Sequence, residues 1–524
     1  MNLYRNILEN NLPRLFNLYN LDPCSSTRGY GDRLYWGWKI SDFANGTMQG
    51  GIHALSIAMK LGLIGNREFA LAVINSAVTA IPEIRAKNGS LVEAYPNEHS
   101  FCVTALVAFD VLSAIRHLGS DISPHRKDEY IDIVRPLISF IIEHDEKHAI
   151  ISNHLATAAA AIALWNEITG ERCGRGEELL DIIYSHQSQE GWYREYEGAD
   201  PGYQTLCTYY LSCAYEVTQD HRLLESLKRS GAFLKHFVHP DGTIGGLYGS
   251  RNTEVYYPGG MVALAPTSDD FAILANMLHN GVVKDRHIFP QDIDMGNFIP
   301  LVNTYAVAAL HYEKNRDLIE GAPLPAPCEG TFTRTFGHAG IYIHSTKRYY
   351  AIVNYKKGGT LKVFDKATGM LDTEEGGIFG RLAKGERFSS QHFDGQITFN
   401  NCTIEAHFYT NNESYPTPFA HIMLRLLSLT LFRSLVLGNV FKKYIVKFLM
   451  TGKNKIDGRA LLRFEFLNDK IIIHKNITKP RGCRSIGHYG TCKAIHMASS
   501  GYYLKQDQER PSHAGLVRCE VEEE

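Results

Sequence analysis

Residues 151–165 read Ile-Ser-Asn-His-Leu-Ala-Thr-Ala-Ala-Ala-Ala-Ile-Ala-Leu-Trp, the pattern of a helix built largely from alanine. Alanine is the best helix former, and its small side chain lets a helix approach its neighbours closely. Asn153 and His154 stand at the start of this helix. Residues 191–205 read Gly-Trp-Tyr-Arg-Glu-Tyr-Glu-Gly-Ala-Asp-Pro-Gly-Tyr-Gln-Thr, an aromatic and charged loop. Its Pro-Gly pair leads to Tyr203, which opens another predicted helix.

Helical periodicity extends to both sides of this pair of segments. The predicted helices cover 104–118, 130–144, 154–168, 177–188, 204–217, 222–237, 269–279 and 299–311. Short links between consecutive helices favour antiparallel neighbours. A long series of such hairpins closes into an α/α toroid with a cleft at one end, and an open solenoid is the alternative, although no fixed-period repeat is visible. We therefore predict an α/α toroid, an incomplete helical barrel, over residues 1–322.

The pattern changes at a proline-rich link over 322–328. The segments that follow alternate in the manner of strands. The predicted strands are 331–336, 340–344, 349–355, 361–364, 396–399, 403–409, 460–466 and 470–474. These segments predict an antiparallel β-sandwich domain over 329–524, which makes the chain a multidomain α+β protein.

A basic and apolar segment interrupts the predicted strands. Residues 414–456 contain seven Lys and Arg and no Asp or Glu, together with many leucines. Basic charge beside an apolar helical face is typical of a helix that lies on an anionic membrane. The alternative is a helical insertion packed on the protein, with its charges in solvent. We predict a basic amphipathic helical insertion at 418–455 that could contact an anionic membrane surface.

Composition limits the classes of function. The chain has 524 residues, with Lys+Arg 54 against Asp+Glu 56 and a formal net charge of -2, which argues against a nucleic-acid partner. Its ten cysteines show no C-x-x-C pair and no metal-ligand spacing, so we expect no metal and no cofactor. Neither a signal peptide nor a transmembrane run is visible. The expected location is cytoplasmic, and the basic insertion favours the inner face of the membrane.

Three residue types in the first two segments suit one chemistry. Abstraction of a proton from carbon next to a carboxylate needs a group that neutralises the carboxylate, a base and a proton donor. Asn153 with His154 could do the first, and Tyr203 could serve as base and acid. His338 is the best further histidine in the β domain. The structural alternatives are a helix cap for Asn153, a hydrogen-bonded core position for either histidine and a helix anchor for Tyr203.

Other clusters of polar and aromatic residues could hold the substrate. Arginine forms a bidentate fork with carboxylates, and flat aromatic rings stack on sugars. The candidate substrate-binding residues are Glu98, His99, Arg251, Asn252, Trp192, Tyr193, Arg194, Trp36 and Trp38. Each has a structural alternative as a core or capping residue, so these assignments depend on whether the loops converge.

The order of a helical toroid and a β-sandwich resembles the heparinase II/III-like polysaccharide lyases and the related uronyl C5-epimerases. Ser-Asn-His-Leu at 152–155 is similar to the family's motif at the start of an inner helix, and Asp-Pro-Gly-Tyr at 200–203 is similar to its tyrosine loop. The resemblance implies that His338 supplies a further histidine. It also implies C5 proton abstraction from a uronate-containing polysaccharide, and the absence of a leader favours a lipid-linked or nascent glycan in surface polysaccharide metabolism.

Two other functions stay open from the sequence. A glycoside hydrolase would need a pair of carboxylates, and its candidates are Glu98, Glu195 and Asp200. A glycan-binding or scaffold protein would keep the aromatic groove and would not need the base. Fold alone cannot distinguish these functions.

Overall fold

The first half of the chain is a ring of helices. The computed structural model describes residues 2–146, 150–324, 330–411, 417–446, 453–488, 490, 493, 500–502, 504 and 515–523. The helices of the first half are α1 (Leu3–Phe16), α2 (Arg33–Trp36), α3 (Ile52–Lys60), α4 (Arg67–Thr79), α5 (Ile81–Ile84), α6 (Phe101–Leu118), α7 (Pro124–Glu143), α8 (Ser152–Thr169), α9 (Arg175–His186), α10 (Pro201–Thr218), α11 (His221–Leu234), α12 (Pro258–Leu264), α13 (Asp269–Val283) and α14 (Met295–Glu320).

Six of these helices form an inner ring in which each contacts the next. In order they are α3, α6, α8, α10, α12 and α14, and α14 returns to contact α3. The helices α1, α4, α7, α9, α11 and α13 pack around the outside. The predicted α/α toroid is confirmed. The long helix α14 contacts both α12 and α3.

The alanine-rich helix α8 explains how the ring packs. All six of its alanines are buried, and the helix contacts both α6 and α10. Each inner helix follows an outer helix through a connection that reverses the chain, so the N-termini of the inner helices lie at one end of the ring. An isolated bridge between Ile151 and Glu195 joins the connections that lead into α8 and α10 at this end.

The second half of the chain forms two sheets. The strands are β1 (Phe332–Phe336), β2 (Ile341–Ser345), β3 (Tyr349–Asn354), β4 (Thr360–Asp365), β5 (Met370–Glu375), β6 (Phe379–Leu382), β7 (Arg387–Ser389), β8 (Thr403–Asn411), β9 (Asn454–Phe466), β10 (Ile471–Thr478), β11 (Cys483–Gly487) and β12 (Val517–Glu523). The first sheet has the order β1-β2-β3-β4-β5, and the second has the order β11-β6-β7-β8-β9-β10-β12. Their pairs are antiparallel except β10 with β12, which is parallel.

The predicted antiparallel β-sandwich is confirmed, with one wrong strand. Residues 396–399 do not form a strand, because the Asp394 side chain and carbonyl accept the amides of Gln396 and Ile397 and bend the chain into a turn. The periodic pattern there arises because Ile397 is buried in the core between the sheets.

The first sheet lies between the toroid and the second sheet. Strands β3 and β4 are buried along their whole length. Tyr349 and Val363 belong to the core between the sheets, whereas Tyr350 and Phe364 pack into the core of the toroid. Aromatic contacts add to the interface between the first sheet and the toroid. For example, His239 stacks on Phe364, with ring centroids 4.4 Å apart. The two halves of the chain therefore share an extended apolar interface.

Two helices interrupt the second sheet between β8 and β9. They are α15 (Pro418–Leu429) and α16 (Leu435–Val446), and both lie within the segment 418–455 that the sequence predicts as an insertion. The remainder of the predicted insertion is partly outside the described residues, which omit 447–452 and the side chain of Lys442. Within the described part of the chain, one helix, Phe101–Asp121, is long and apolar enough to cross a membrane, and 83% of its apolar window is buried inside the toroid.

Candidate active site

Two inner helices begin side by side at the end of the toroid where the chain enters the inner ring. Helix α8 starts at Ser152, whose amide donates to the carbonyl of Arg194 at 3.2 Å. Helix α10 starts at Pro201 and is capped by Asp200, whose Oδ1 accepts the amide of Tyr203 at 2.9 Å. Asn153 therefore lies in the first turn of α8 rather than at its cap position, which Ile151 occupies without a side-chain bond.

The buried carboxylate of Glu195 joins these two helix starts. Its Oε1 accepts both the backbone amide of Asn153 at 3.2 Å and the side-chain Nδ2 of Asn153 at 2.8 Å. Its Oε2 lies 3.6 Å from Nη1 of Arg251. Burial raises the pKa of Glu195 to about 7, although Arg251 and Asn153 both act to lower it. Glu195 therefore titrates near neutral pH, as acid–base catalysts do.

The guanidinium of Arg251 lies between Glu195 and two tyrosine rings. It stands 3.8 Å from the ring centroid of Tyr203 and 5.0 Å from that of Tyr196. A cation over a ring face within about 6 Å is attracted by the ring. Within the described residues, neither Nε of Arg251 nor Oε2 of Glu195 has a hydrogen-bond partner, although both atoms are buried. Such orphaned atoms are unusual in a core and suit a site for a polar ligand. We call Asn153, Glu195, Tyr196, Tyr203 and Arg251 the Glu195 cluster.

Two buried charged side chains hold the loop that carries Arg251. Asp200 accepts the backbone amide of Arg251 on Oδ2 at 2.7 Å, while its other oxygen caps α10. Lys357, from the turn after β3, donates to the carbonyls of Leu247 and Gly249 at 2.7 and 2.5 Å.

Lys357 also donates to the side-chain oxygen of Asn252, the residue after Arg251. Asn252 adopts a positive φ of 56° and is buried. Burial lowers the pKa of Lys357 to about 7. The predicted substrate-binding residue Asn252 thus contacts a lysine of the β domain, and this contact fixes the position of the neighbouring Arg251.

His154 contacts a different carboxylate, that of Glu146. Its Nδ1 lies 2.9 Å from Oε2 of Glu146, and the two side chains are 19% and 5% exposed. Glu146 also lines a small cavity together with His99 and His144. His154 and His99 therefore flank Glu146, at the N-terminal ends of α8 and α6.

The predicted substrate-binding residues Glu98 and His99 both form hydrogen bonds with nearby residues of the same loop. Oε2 of Glu98 accepts the amides of Glu93 and Ala94 at 2.9 and 2.8 Å. Nδ1 of His99 lies 2.8 Å from the hydroxyl of Ser90. Burial lowers the pKa of His99, as does the nearby His144. His99 is therefore held mainly neutral at pH 7.

Three consecutive candidates lie in the loop before α10. Nε1 of Trp192 donates to Glu190 at 3.0 Å, and the ring is almost fully buried. Tyr193 is fully buried, with its hydroxyl 3.0 Å from that of Ser226. Arg194 is exposed on the same loop. The two aromatic rings therefore support the loop from within the core.

The remaining candidates lie elsewhere. Nε1 of Trp36 donates to the carbonyl of Leu18 at 2.9 Å, whereas Trp38 is 71% exposed. His338 is exposed in the turn between β1 and β2, and its backbone amide donates to Glu190 at 2.8 Å. Among the described contacts, none joins these three residues to the Glu195 cluster.

Some residues of the site carry no signal in the sequence. Lys357 approaches from the β domain, and nothing in its local sequence marks it as buried. Glu146 stands eight positions before His154, a spacing without a motif. From the sequence, Glu195 is a candidate only as a hydrolase carboxylate. No group of three or more His, Cys, Asp or Glu with metal-binding geometry occurs in the described ranges.

No protein-family model matches the chain, and no curated protein matches it. Among solved structures, the chain is similar to a xanthan lyase of Paenibacillus with a TM-score of 0.48 and 10% identity, over 78% of this chain and 44% of that one. Heparinase III gives a TM-score of 0.48 and 10% identity, over 71% and 59% of the two chains. The cellobiose 2-epimerase of Bacillus thermoamylovorans gives 0.44 and 13%, over 59% and 99%.

The chain thus spans about half the length of the two lyases, at 44% and 59%. The cellobiose 2-epimerase, by contrast, is matched over nearly its whole length.

Proposed function

We propose that this protein is a carbohydrate-active enzyme that abstracts the C5 proton of a uronate residue in a polysaccharide or lipid-linked glycan. It would act as a β-elimination lyase or a C5-epimerase in surface polysaccharide metabolism. The observation that carries the proposal is the contact of Arg251 with the ring of Tyr203, 3.8 Å away, beside Glu195, which in turn accepts the side-chain amide of Asn153. A carboxylate-binding cation, an amide donor and a phenol thus meet at one point.

The first requirement of this chemistry is neutralisation of the substrate carboxylate, because the carbanion at C5 is otherwise too unstable. Arg251 supplies a guanidinium with an unpartnered Nε among the described residues, and Asn153 supplies an amide. Because burial raises the pKa of Glu195, the neutral form of this carboxyl is favoured relative to that of an exposed glutamate. It then cancels less of the Arg251 charge, which remains available to a uronate.

The second requirement is a base. We assign this role to Tyr203, because a guanidinium over its ring favours the phenolate over the phenol. The phenolate would take the C5 proton and, in a lyase, pass it to the leaving oxygen at C4. In an epimerase, a second group on the opposite face would return a proton to C5. Glu195 and the His154–Glu146 pair are the proposed donors. The mechanism assigns no proton transfer to His338.

The carboxylates disfavour the hydrolase alternative. Asp200 uses both oxygens to accept backbone amides, and Glu98 accepts two amides on one oxygen. Of these three carboxyls, Glu195 is the one whose oxygen lies beside the guanidinium of Arg251 in the described contacts. Hydrolysis by the usual route needs two carboxyl groups across the glycosidic bond.

The test is incubation of the purified protein with a panel of uronate-containing polymers in deuterated water. Elimination leaves a C4–C5 double bond conjugated with the carboxylate, which absorbs ultraviolet light. Epimerisation leaves deuterium at C5. New reducing ends without either signal would replace our proposal with a hydrolase, and binding of a polymer without turnover would replace it with a glycan-binding protein.

The sharpest variant pair is Tyr203→Phe against Tyr196→Phe. Both tyrosines contact Arg251, and each variant loses one hydroxyl. Tyr203→Phe should lower kcat by about 10³-fold or more, in the range reported for loss of an acid–base group, with polymer binding retained. Tyr196→Phe should keep most of the activity. Equal activity in the two variants would remove Tyr203 from the role of base.

A further inference from the structure

The helical hairpin α15–α16 exposes an unusual number of apolar side chains. Of nineteen large hydrophobic residues exposed in the described part of the chain, ten lie in this hairpin. They are Phe419, Ile422, Met423, Leu426, Leu429, Leu431, Val436, Leu437, Val440 and Tyr444. Phe419 and Val436 are 72% and 70% exposed. Contiguous apolar surface of this kind marks a site that contacts a protein or a membrane.

The exposed residues fall on one face of each helix. In α15 they stand at the first, fourth, fifth, eighth and eleventh positions of the series from Phe419 to Leu429, which is a single helical stripe. The opposite face of α15 faces the protein, where Ser428 is buried. The apolar stripe of α15 is therefore turned toward solvent.

Polar and aromatic contacts fix the hairpin on the toroid. Nε of Arg425 forms an ion pair with Asp42 at 2.7 Å. Nδ2 of Asn97 donates to the carbonyl of Ser428 at 2.9 Å. The ring of Phe432 is buried, with its centroid 5.6 Å from that of Tyr95. The exposed stripe thus has a defined orientation and is not free to fold back onto the core.

The charge of the segment identifies its partner. Residues 414–456 contain seven basic and no acidic residues, and Arg433 and Lys443 are exposed on the hairpin itself. Two copies of this chain that met through the hairpin would bring like charges together. An anionic surface would attract these charges. Each Lys or Arg close to the lipid would raise the binding affinity roughly 5-fold.

We propose that the α15–α16 hairpin docks this protein onto an anionic phospholipid bilayer, with its exposed stripe buried at the level of the headgroups. Each helix has 12 residues and is therefore about 18 Å long, too short to cross a hydrocarbon core of about 30 Å. The hairpin lies in the interface instead. This inference is independent of the proposed reaction, because it uses none of the residues of the Glu195 cluster.

The test is flotation of the full chain with vesicles of phosphatidylcholine alone and of phosphatidylcholine with phosphatidylglycerol. The protein should float with the anionic vesicles, and salt should release it as the screening length shrinks. The triple variant Ile422→Ser, Leu426→Ser, Val440→Ser should weaken vesicle binding at least about tenfold, because each loses apolar area that would enter the membrane. The double variant Arg433→Glu, Lys443→Glu should weaken binding at least about 25-fold.

Matched variants test whether the location of the substitution matters. The first control is a triple variant that replaces three exposed apolar residues elsewhere: Val283→Ser, Leu318→Ser, Leu461→Ser. The second is a double variant that reverses two exposed charges elsewhere: Lys384→Glu, Lys314→Glu. Both should bind vesicles as the unaltered protein does. All variants should keep the same thermal unfolding midpoint, because the changed side chains are exposed.

Three results would overturn the proposal. They are failure to float with anionic vesicles, equal flotation with neutral and anionic vesicles, and unchanged flotation of the hairpin variants. If the hairpin variants instead convert a dimer to a monomer in sedimentation, the stripe binds a second copy of this chain and not a membrane.

Discussion

The Glu195 cluster and the α15–α16 hairpin place side chains in opposite ways. In the cluster, charged groups are buried and held by backbone amides, helix starts and a lysine from the β domain. In the hairpin, apolar groups face outward and the polar contacts lie beneath them. Burial of charge costs free energy, whereas exposure of apolar side chains adds little to folding. We therefore expect substitutions to change stability strongly in the cluster and weakly in the hairpin.

The largest expected effect is loss of the Asp200 carboxylate. Asp200→Ala leaves the buried amides of Tyr203 and Arg251 without acceptors. The free energy of unfolding should fall by about 3 kcal/mol, since each unsatisfied buried group costs about 1–3 kcal/mol. Urea denaturation measures this. Asp220→Ala, which removes a partly exposed cap from α11, is the control and should cost about 1 kcal/mol. Similar losses in the two variants would contradict the special role of Asp200.

An intermediate effect is expected from the titration of Glu195. Its pKa is raised from 4.5 to about 7 by burial, so the native state binds this proton more tightly than the unfolded chain does. The sign is therefore that stability falls as pH rises from about 4.5 to about 7, by on the order of 2 kcal/mol. Urea denaturation across this range should show the fall, and Glu195→Gln should reduce it.

The control for that titration is Glu197→Gln, which changes an exposed carboxylate two residues away. Its pH dependence should match that of the unaltered protein. If stability depends on pH in the same way in Glu195→Gln and in the unaltered protein, then Glu195 is not the group whose raised pKa causes the fall.

The smallest effect is expected in the hairpin. Val436→Ser replaces a side chain that is 70% exposed, so the free energy of unfolding should change by no more than about 0.5 kcal/mol. Thermal unfolding with urea as a second probe measures this. Leu435→Ser, one residue earlier and partly buried against the toroid core, should cost more. A loss for Val436→Ser as large as that for Leu435→Ser would mean that the stripe is packed in the folded protein.

Local patterns were enough to predict the elements that matter most for the fold. The alanine run of α8 and the Asp-Pro-Gly-Tyr start of α10 are local signals, and both elements appear where the sequence predicts them. Closure of the ring depends on α14 meeting α3, a contact between distant parts of the chain. The parallel pair of β10 and β12 likewise joins segments whose spacing gives no signal.

The site was predicted less completely than the fold. Asn153, Tyr203 and Arg251 were candidates from the sequence, and the structure brings them together around Glu195. Lys357 could not be predicted, because its role depends on the β domain packing against the 247–252 loop. Whether a histidine faces a substrate or a carboxylate such as Glu146 is also decided by tertiary contacts.

The hairpin leaves and rejoins the second sheet at one point. Strands β8 and β9 are antiparallel neighbours, and Thr410 pairs with Asn454 at the end where the excursion departs. A two-residue turn is enough to connect such a pair. In evolutionary terms, the segment between these residues can be inserted or deleted as a unit, because strands β8 and β9 can pair in the same register without it. A single insertion event at this point can thereby add an exposed apolar surface to the same fold.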